Sequence, residues 1–349
     1  MVVRTPAREP SGPTIYSVAE AAGVSIATVS RVVQGTGAVS ARTRAKVLEA
    51  IDRLDYTPLA AARSLAVRQH EALGLVLPEL EGPYFSELLM GFEEAAAELD
   101  LSVVLTLVER GRDLDAARFA RLVAAVDGVA VLGGLLPEPV LRRATRQRPL
   151  LVVAGGGTDG FEHLAAENTT SSAALTAHLI DDHGRTRPVY LGDPGIAPDV
   201  RQRFDGFAGA LTERGLAVPE PLGTGLREED GAAVAERLLE DGIPADAVVC
   251  ANDEVALGFI DRMTTAGVRV PGDLAVTGWD DIMAARYVRP GLSTVRQPVR
   301  ELGALAARRL HERVTGADPH EPGVLATRVV LRGSCGCPEP ARTPAAPTP

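Results

Sequence analysis

The 349-residue chain contains only three cysteines, Cys250, Cys335 and Cys337. Cys250 lies in the apolar run AVVCA and reads as a core residue. Cys335-Gly-Cys337 has no second pair at zinc-ligand spacing and no histidine cluster beside it in the sequence, so neither a metal nor a cofactor is expected. His163, His178 and His183 are scattered, and a five-residue offset on a helix does not favour a shared ion for the last two. No apolar run approaches the ~18 residues of a membrane span, and the N-terminus shows no apolar export segment. A cytoplasmic protein with no membrane partner is the expectation. Aromatic residues are scarce at 4%, and Lys46 is the single lysine, a bias that points to a GC-rich genome and says nothing of activity. No phosphate-binding Walker loop and no G-x-S-x-G elbow is present, and GGGTDG (155–160) does not open directly into a helix as a dinucleotide fingerprint must. No catalytic residues are assigned.

What is present is unevenly distributed. Hydrophobic residues make up 46%, enough for large cores, and the length suits two or three domains. The net charge is -10, which argues against nucleic-acid binding by the whole surface. Residues 1–68, however, carry nine basic and five acidic side chains, leaving the remainder strongly acidic. A basic head on an acidic body fits DNA contact confined to the head.

Ile15 to Gln34, IYSVAEAAGVSIATVSRVVQ, holds the most specific local signal. Ala19, Gly23 and Val29 occupy the three positions that a helix-turn-helix restricts: a small residue where the helices cross, a glycine in the turn, and an apolar plug on the second helix. Ser17 and Ser25 stand where N-caps belong. Three helices are expected at about 17–23, 26–34 and 41–55, the last capped by Ser40 with Val47, Leu48, Ile51 and Leu54 as its apolar stripe. On the second helix, Ser25, Ile26, Ala27, Thr28, Ser30, Arg31 and Gln34 can reach DNA. Arg31 is the strongest donor to bases or phosphates, whereas Ile26 and Ala27 can read only thymine methyls and shape.

From Leu73 short apolar runs alternate with amphipathic helical segments, the rhythm of a parallel sheet covered on both faces. The rhythm repeats after residue 170, so two α/β lobes are expected, linked by crossovers near 155–165 and 282–295 and by a late helix at 299–314. The last strand is expected at 327–334. Ligands of such folds sit at the carboxyl ends of the strands. The expected organisation is a disordered arm (1–13), a helix-turn-helix domain (14–58), a hinge helix and linker (59–70), a two-lobed effector-binding and dimerisation domain (71–334) and a disordered tail (335–349).

Thr14 to Gln69 resembles the DNA-binding head of the LacI/GalR family of bacterial regulators. PYFSELLMGFEEAA (83–96), RQRFDGF (201–207), CANDEVALGFIDRMTTAGVRVPGDLAVTGWDD (250–281), LSTVRQP (292–298) and VVLRGSCG (329–336) are similar to that family's sensor. The resemblance implies an all-α helix-turn-helix head on an α/β two-lobed sensor domain resembling periplasmic binding proteins. It implies a homodimer on palindromic operator DNA with a central CpG step, and a repressor whose affinity follows a small effector, most often a sugar. Thr14, Tyr16, Ser17, Ser25, Thr28, Ser30 and Arg31 become phosphate and base contacts. Segment 59–66 becomes a hinge helix, with Ala62 in it and Leu65 as the wedge between central base pairs. Leu59 departs from the family, which commonly has Asn there. Arg203, Asp280 and Asn252 match effector-binding positions, Tyr84 and Phe85 match cleft-lining positions, and Trp279 lies beside Asp280. The usual Asp-Asn followed by a Gly-Ala helix start appears as Glu167-Asn168-Thr169, a second departure.

Two other readings share the α/β body. A solute-binding protein of a transport system explains residues 73–334 equally well, and the helix-turn-helix and the missing export segment oppose it. An α/β sugar-metabolising enzyme lacks its motifs.

Overall fold

The computed structural model describes residues 13–34, 37–56, 70–108, 116–317 and 323–338. The chain divides into two units, Met1–Glu71 and Ala72–Pro349. The expected hinge, with Ala62 and Leu65, and most of the expected arm and tail lie outside the described residues.

In the head, α1 (Ile15–Ala22), α2 (Ile26–Gln34) and α3 (Ala41–Leu54) form a small bundle. α1 starts two residues earlier than the sequence suggests, because Thr14 and not Ser17 is its N-cap. The Thr14 hydroxyl accepts from the Ser17 N–H (3.4 Å), and the Ser17 hydroxyl accepts in return from the Thr14 N–H (3.3 Å). This reciprocal box satisfies two helix-end donors. Gly23, at φ 66°, ends α1 in the left-handed conformation that other residues resist. The Ser25 and Ser40 hydroxyls accept from the N–H groups of Thr28 and Thr43, each at 3.2 Å, and cap α2 and α3 as expected. Val18, Ala19, Val29, Val32, Val47, Ala50 and Tyr56 form the core. Leu48, expected on the inner stripe of α3, is 47% exposed, and Ala50 takes the inner position. At 3.6 residues per turn, 47, 50, 51 and 54 share one face and 48 lies outside it.

The first lobe of the body is a six-stranded parallel sheet. Its strands are β1 (Ala72–Leu77), β2 (Ser102–Leu107), β3 (Gly128–Leu132), β4 (Leu150–Val153), β5 (Glu162–Ala166) and, near the chain's end, β10 (Val324–Leu325). They lie in the order β10-β5-β4-β3-β1-β2. Leu73, Leu75 and Leu77 point to one face, under α4 (Pro83–Glu98) and the late helix α12 (Val299–Thr315). Ala72 and Val76 point to the other, under α5 (Ala116–Ala125) and α6 (Glu138–Thr145). α4 and α12 pack with almost no gap: a Cβ at Gly91 would lie 1.8 Å from the Arg300 carbonyl oxygen, and one at Gly303 2.1 Å from that of Leu88.

The second lobe has the parallel strands β6 (Pro188–Leu191), β7 (Ala247–Cys250) and β8 (Ala275–Thr277), and an antiparallel pair, β9 (Thr294–Arg296) with β11 (Arg328–Val330). α7 (Thr169–Asp181) and α8 (Pro198–Glu213) cover one face. α9 (Glu228–Asp241) and α10 (Asp253–Thr265) cover the other, and the short α11 (Met283–Tyr287) follows β8. Cys250 is 2% exposed in this core, as its apolar neighbours predicted.

The chain passes between the lobes three times: at 167–168 after β5, at 297–298 after β9, and at 326–327 between β10 and β11. The expected crossovers at 155–165 and 282–295 are displaced because 162–166 and 294–296 are themselves short strands. The last strand is shorter than expected and runs into a 3₁₀ turn, Gly333–Cys335. Cys335 is fully buried, so the folded body continues past Ser334, where a tail was expected to begin.

Candidate DNA-reading helix and ligand cleft

α2 divides cleanly between its two faces. Val29 (0% exposed) and Val32 hold it to the head, while Ser25, Ile26, Ala27 and Arg31 face solvent and Thr28 and Ser30 are half-buried. Tyr16 on α1 is 68% exposed and Ile26 41%, a large outlay of apolar surface for so small a bundle. The Ser25 and Thr28 hydroxyls lie 2.9 Å apart. Gln34 closes α2. Thr14 and Ser17, spent on the capping box, are half-buried.

Between the lobes of the body lies a cleft of about 630 Å³. The first lobe contributes Glu79, Glu81, Tyr84 and Phe85, and the second contributes Asp199, Arg203, Arg227, Asn252, Glu254 and Asp280. Tyr84 and Phe85 open α4 and meet edge to face, ring centroids 5.3 Å apart. This size and mixture suit a small polar ligand with an apolar face.

Arg203, on the buried side of α8, is 7% exposed. Its Nε donates to Asn168 Oδ1 (2.9 Å) and its Nη1 to the Ala251 carbonyl (2.8 Å). The guanidinium carbon sits 4.8 Å from the Trp279 ring centroid. A guanidinium held on three sides presents a fixed edge of paired donors to the cleft. Asp280 supplies the acceptors. It stands at φ 118°, a strained conformation for a residue with a Cβ, and takes a hydrogen bond from Gln297 Nε2. Burial pushes its carboxyl up to about 6, against the opposing pull of Arg203 and Gln297, with Asp199 adding to the rise.

Two of the expected cleft residues serve differently. Trp279 is 2% exposed and packs with Leu175 and Val295 beneath Arg203; it is absent from the cleft wall. Asn252 lies on the wall, but its Oδ1 accepts from the Val255 N–H (3.0 Å) as the N-cap of α10 and its Nδ2 donates to the Leu226 carbonyl (2.8 Å).

Other contributors were not marked by the sequence. Asp199 Oδ2 accepts from the Gly155 N–H at 2.9 Å, bridging the lobes. Arg227 reaches from the second lobe to Glu79 (2.7 Å) and Glu81 (2.6 Å) across the cleft mouth. Asp281, its side chain buried, pairs with Arg286, Arg296 and Arg332. Asp253 is fully buried and accepts from Thr294 Oγ1 (2.6 Å) and the Ile282 N–H (2.9 Å); burial raises its carboxyl well above the usual range. Motif matching finds Arg203 and Asp280, but the supporting side chains, among them Asn168, Asp199, Arg227 and Gln297, come from distant segments.

A second cluster corrects the sequence reading. His178, His183, Cys335 and Cys337 come together, with one ligand atom of each within 4.8 Å of the rest. The five-residue helical offset did not apply, because α7 ends at Asp181 and His183 lies beyond it.

Comparison with known proteins bears on both units. Residues 14–58 match the bacterial regulatory proteins of the lacI family, and residues 176–335 match the periplasmic binding protein-like domain. Catabolite control protein A of Streptococcus mutans serotype c is 35% identical over 306 residues, covering 85% of this chain and 90% of that protein. The chain belongs to the lacI family of bacterial regulatory proteins. It is a DNA-binding transcription regulator under the control of a small effector. The crystal structure of the lac repressor dimer bound to operator and the anti-inducer ONPF superposes with a TM-score of 0.83 at 27% identity, over 93% of this chain and 99% of that one. A complex of the transcriptional regulator CelR with cellobiose gives a TM-score of 0.67 at 28% identity, over 92% and 99%. Among the described residues of this lacI-family chain, no helix is long and apolar enough to cross a membrane.

Proposed function

We propose that this regulator binds a palindromic operator as a homodimer in the cytoplasm, acts as a repressor, and takes a sugar in the cleft between its lobes. The single observation that carries the effector assignment is the placement of Arg203 and Asp280 together on the second-lobe wall of a cleft whose first-lobe wall carries Tyr84 and Phe85. Fixed guanidinium donors and a carboxylate suit adjacent hydroxyls, and aromatic rings suit the apolar face of a pyranose. The CelR–cellobiose complex, a similar fold holding a disaccharide, supports the reading.

In the head, Ser25, Ile26, Ala27, Thr28, Ser30, Arg31 and Gln34 enter the major groove, with Arg31 as the principal donor. Thr14, Tyr16 and Ser17, at the start of α1, contact the phosphate backbone. Ala62 and Leu65 act in the hinge, outside the described residues. A central CpG step would be the site of the Leu65 wedge. The lac repressor dimer on its operator supports the twofold assembly. So do Met283 and Tyr287 on α11, which are 73% and 68% exposed and gain a cover in a dimer.

Coupling between cleft and DNA requires that the sugar prefer one lobe arrangement and that operator binding differ between the arrangements. Arg227 and Asp199 hold the lobes together at the cleft, so an effector that strains or reinforces these contacts shifts that balance. The test is a thermal-shift screen of the full-length protein against mono- and disaccharides. A true effector at ~100 times its dissociation constant stabilises by about 2.7 kcal/mol. No shift with any sugar, together with a clear shift by a purine or another metabolite, would remove the sugar assignment.

A further inference from the structure

The histidine–cysteine cluster of the second lobe has no part in the cleft or in DNA contact. His178 stands in the last turn of α7, His183 two residues past its end, Cys335 at the end of the 3₁₀ turn and Cys337 just beyond. The two Nε2 atoms are 3.1 Å apart. Cys337 Sγ lies 3.3 Å from His178 Nε2 and 3.4 Å from His183 Nε2, and Cys335 Sγ lies 3.7 Å from His178 Nε2. A tetrahedral ion with Zn–N of about 2.05 Å and Zn–S of about 2.3 Å separates its ligand atoms by about 3.3 Å for two nitrogens and about 3.6 Å for a nitrogen and a sulfur. Four edges that meet a histidine nitrogen, 3.1, 3.3, 3.4 and 3.7 Å, lie close to these values, and all four ligand atoms fall within 4.8 Å of one another.

The surroundings also aim the ligand atoms inward. His178 Nδ1 is 2.6 Å from Asp182 Oδ2, so the ring proton sits on Nδ1 and the Nε2 lone pair points at the sulfurs. A carboxylate behind a histidine is the usual support of a metal-bound imidazole. Gly336, between the cysteines, takes φ 114°, and a Cβ there would come within 2.9 Å of His183 Nδ1. The Cys-Gly-Cys turn can thus turn both sulfurs toward the rings only with glycine in the middle.

We propose that His178, His183, Cys335 and Cys337 form a structural Zn²⁺ site that fastens the C-terminal turn to the end of α7. Two nitrogens and two sulfurs in a tetrahedron suit Zn²⁺, and four protein ligands leave no open position for chemistry. The neighbouring contacts agree with a fastening role: the Ser334 hydroxyl donates to the Val276 carbonyl (2.6 Å) and accepts from the Ser293 N–H (2.8 Å). The ion completes the anchoring of that turn on the α7 side.

The test uses full-length protein without a polyhistidine tag, purified under reducing conditions from zinc-supplemented medium. Elemental analysis is expected to find about one zinc per chain, the stoichiometry of a closed four-ligand site. Cys337→Ser and His183→Ala each reduce the content to a small fraction, and a strong chelator lowers the melting temperature of the wild type by several degrees. Because a variant can fail to fold, wild-type protein stripped of metal is also titrated with Co²⁺. The expected spectrum has the visible bands of a tetrahedral centre and a sulfur-to-cobalt charge-transfer band, both abolished by Zn²⁺. Absence of retained zinc with no charge-transfer band overturns the proposal. So does a Cys335–Cys337 disulfide found in the reduced preparation in place of the metal.

Discussion

The guanidinium of Arg203 lies over the indole of Trp279, 4.8 Å from the ring centroid, and Trp279 itself is sealed from the cleft. A cation held against an aromatic face is worth about 0.5–2 kcal/mol, more where water is excluded. Trp279→Leu is therefore expected to weaken effector binding about tenfold with no loss of a direct ligand contact, and Trp279→Phe by less. Isothermal titration checks this, and equal affinities for all three proteins would show that Arg203 needs no such support.

Asp280 gives a pH dependence with a definite sign. Its carboxyl titrates at about 6 in the fold, above the ~3.9 of an unfolded aspartate. Folding thus disfavours the ionised form, and the penalty is complete above pH 6 and gone below about pH 4. Relative to Asp280→Asn, the unliganded wild type is expected to gain stability as pH falls through this window. Effector hydroxyls that donate to the carboxylate need it ionised. Sugar affinity is accordingly flat above about pH 7 and falls by up to about tenfold per unit below 6, and the Asn variant lacks this step. Titrations between pH 5 and pH 8, on the order of one unit apart, measure it.

Arg227 pairs with Glu79 and Glu81 across the cleft mouth, and all three side chains are substantially exposed. Such pairs contribute little to stability and are screened by salt. Arg227→Ala is expected to leave the melting temperature nearly unchanged while altering effector affinity by about two- to fivefold and removing most of its salt dependence. A large drop in melting temperature would mean that Arg227 supports the fold and not the lobe arrangement.

Met283 and Tyr287 test the assembly. The double variant Met283→Asp, Tyr287→Asp places charge on the exposed face of α11. Analytical ultracentrifugation is expected to show a monomer in place of a dimer, with operator affinity reduced at least about a hundredfold, since one head alone loses the effective concentration of the second. An unchanged dimer would locate the interface elsewhere.

Much of this was legible in the sequence, for identifiable reasons. Ala19, Gly23 and Val29 fix the head because each answers a local steric demand, and the alternating apolar runs fix the lobes because buried parallel strands leave a long-range rhythm. Arg203 and Asp280 stand in contiguous motifs. What escaped was assembled from distant pieces. Strands β5 and β9 are too short and too polar at their starts (Glu162, Thr294) to stand out as apolar runs. Ser17 looked like a cap because a serine suits both the cap and the third position of a capping box. Trp279 looked like a ligand contact because adjacency to Asp280 in sequence says nothing about which side of the strand end it faces. The His178–Cys337 cluster joins pairs more than 150 residues apart, beyond any spacing rule.

If α2 reads a symmetric duplex, Arg31 is the side chain whose loss shows it. Full-length protein is used to select a binding site from a random duplex library, and wild type and Arg31→Ala are then titrated on that site by fluorescence anisotropy. A two-fold-symmetric site with strongly salt-dependent affinity is expected. Loss of Arg31 should weaken binding by about 1–3 kcal/mol per half-site and relax the preference at one position of each. Selection of no symmetric site, or an Arg31→Ala protein that binds as tightly and as selectively as the wild type, would contradict it.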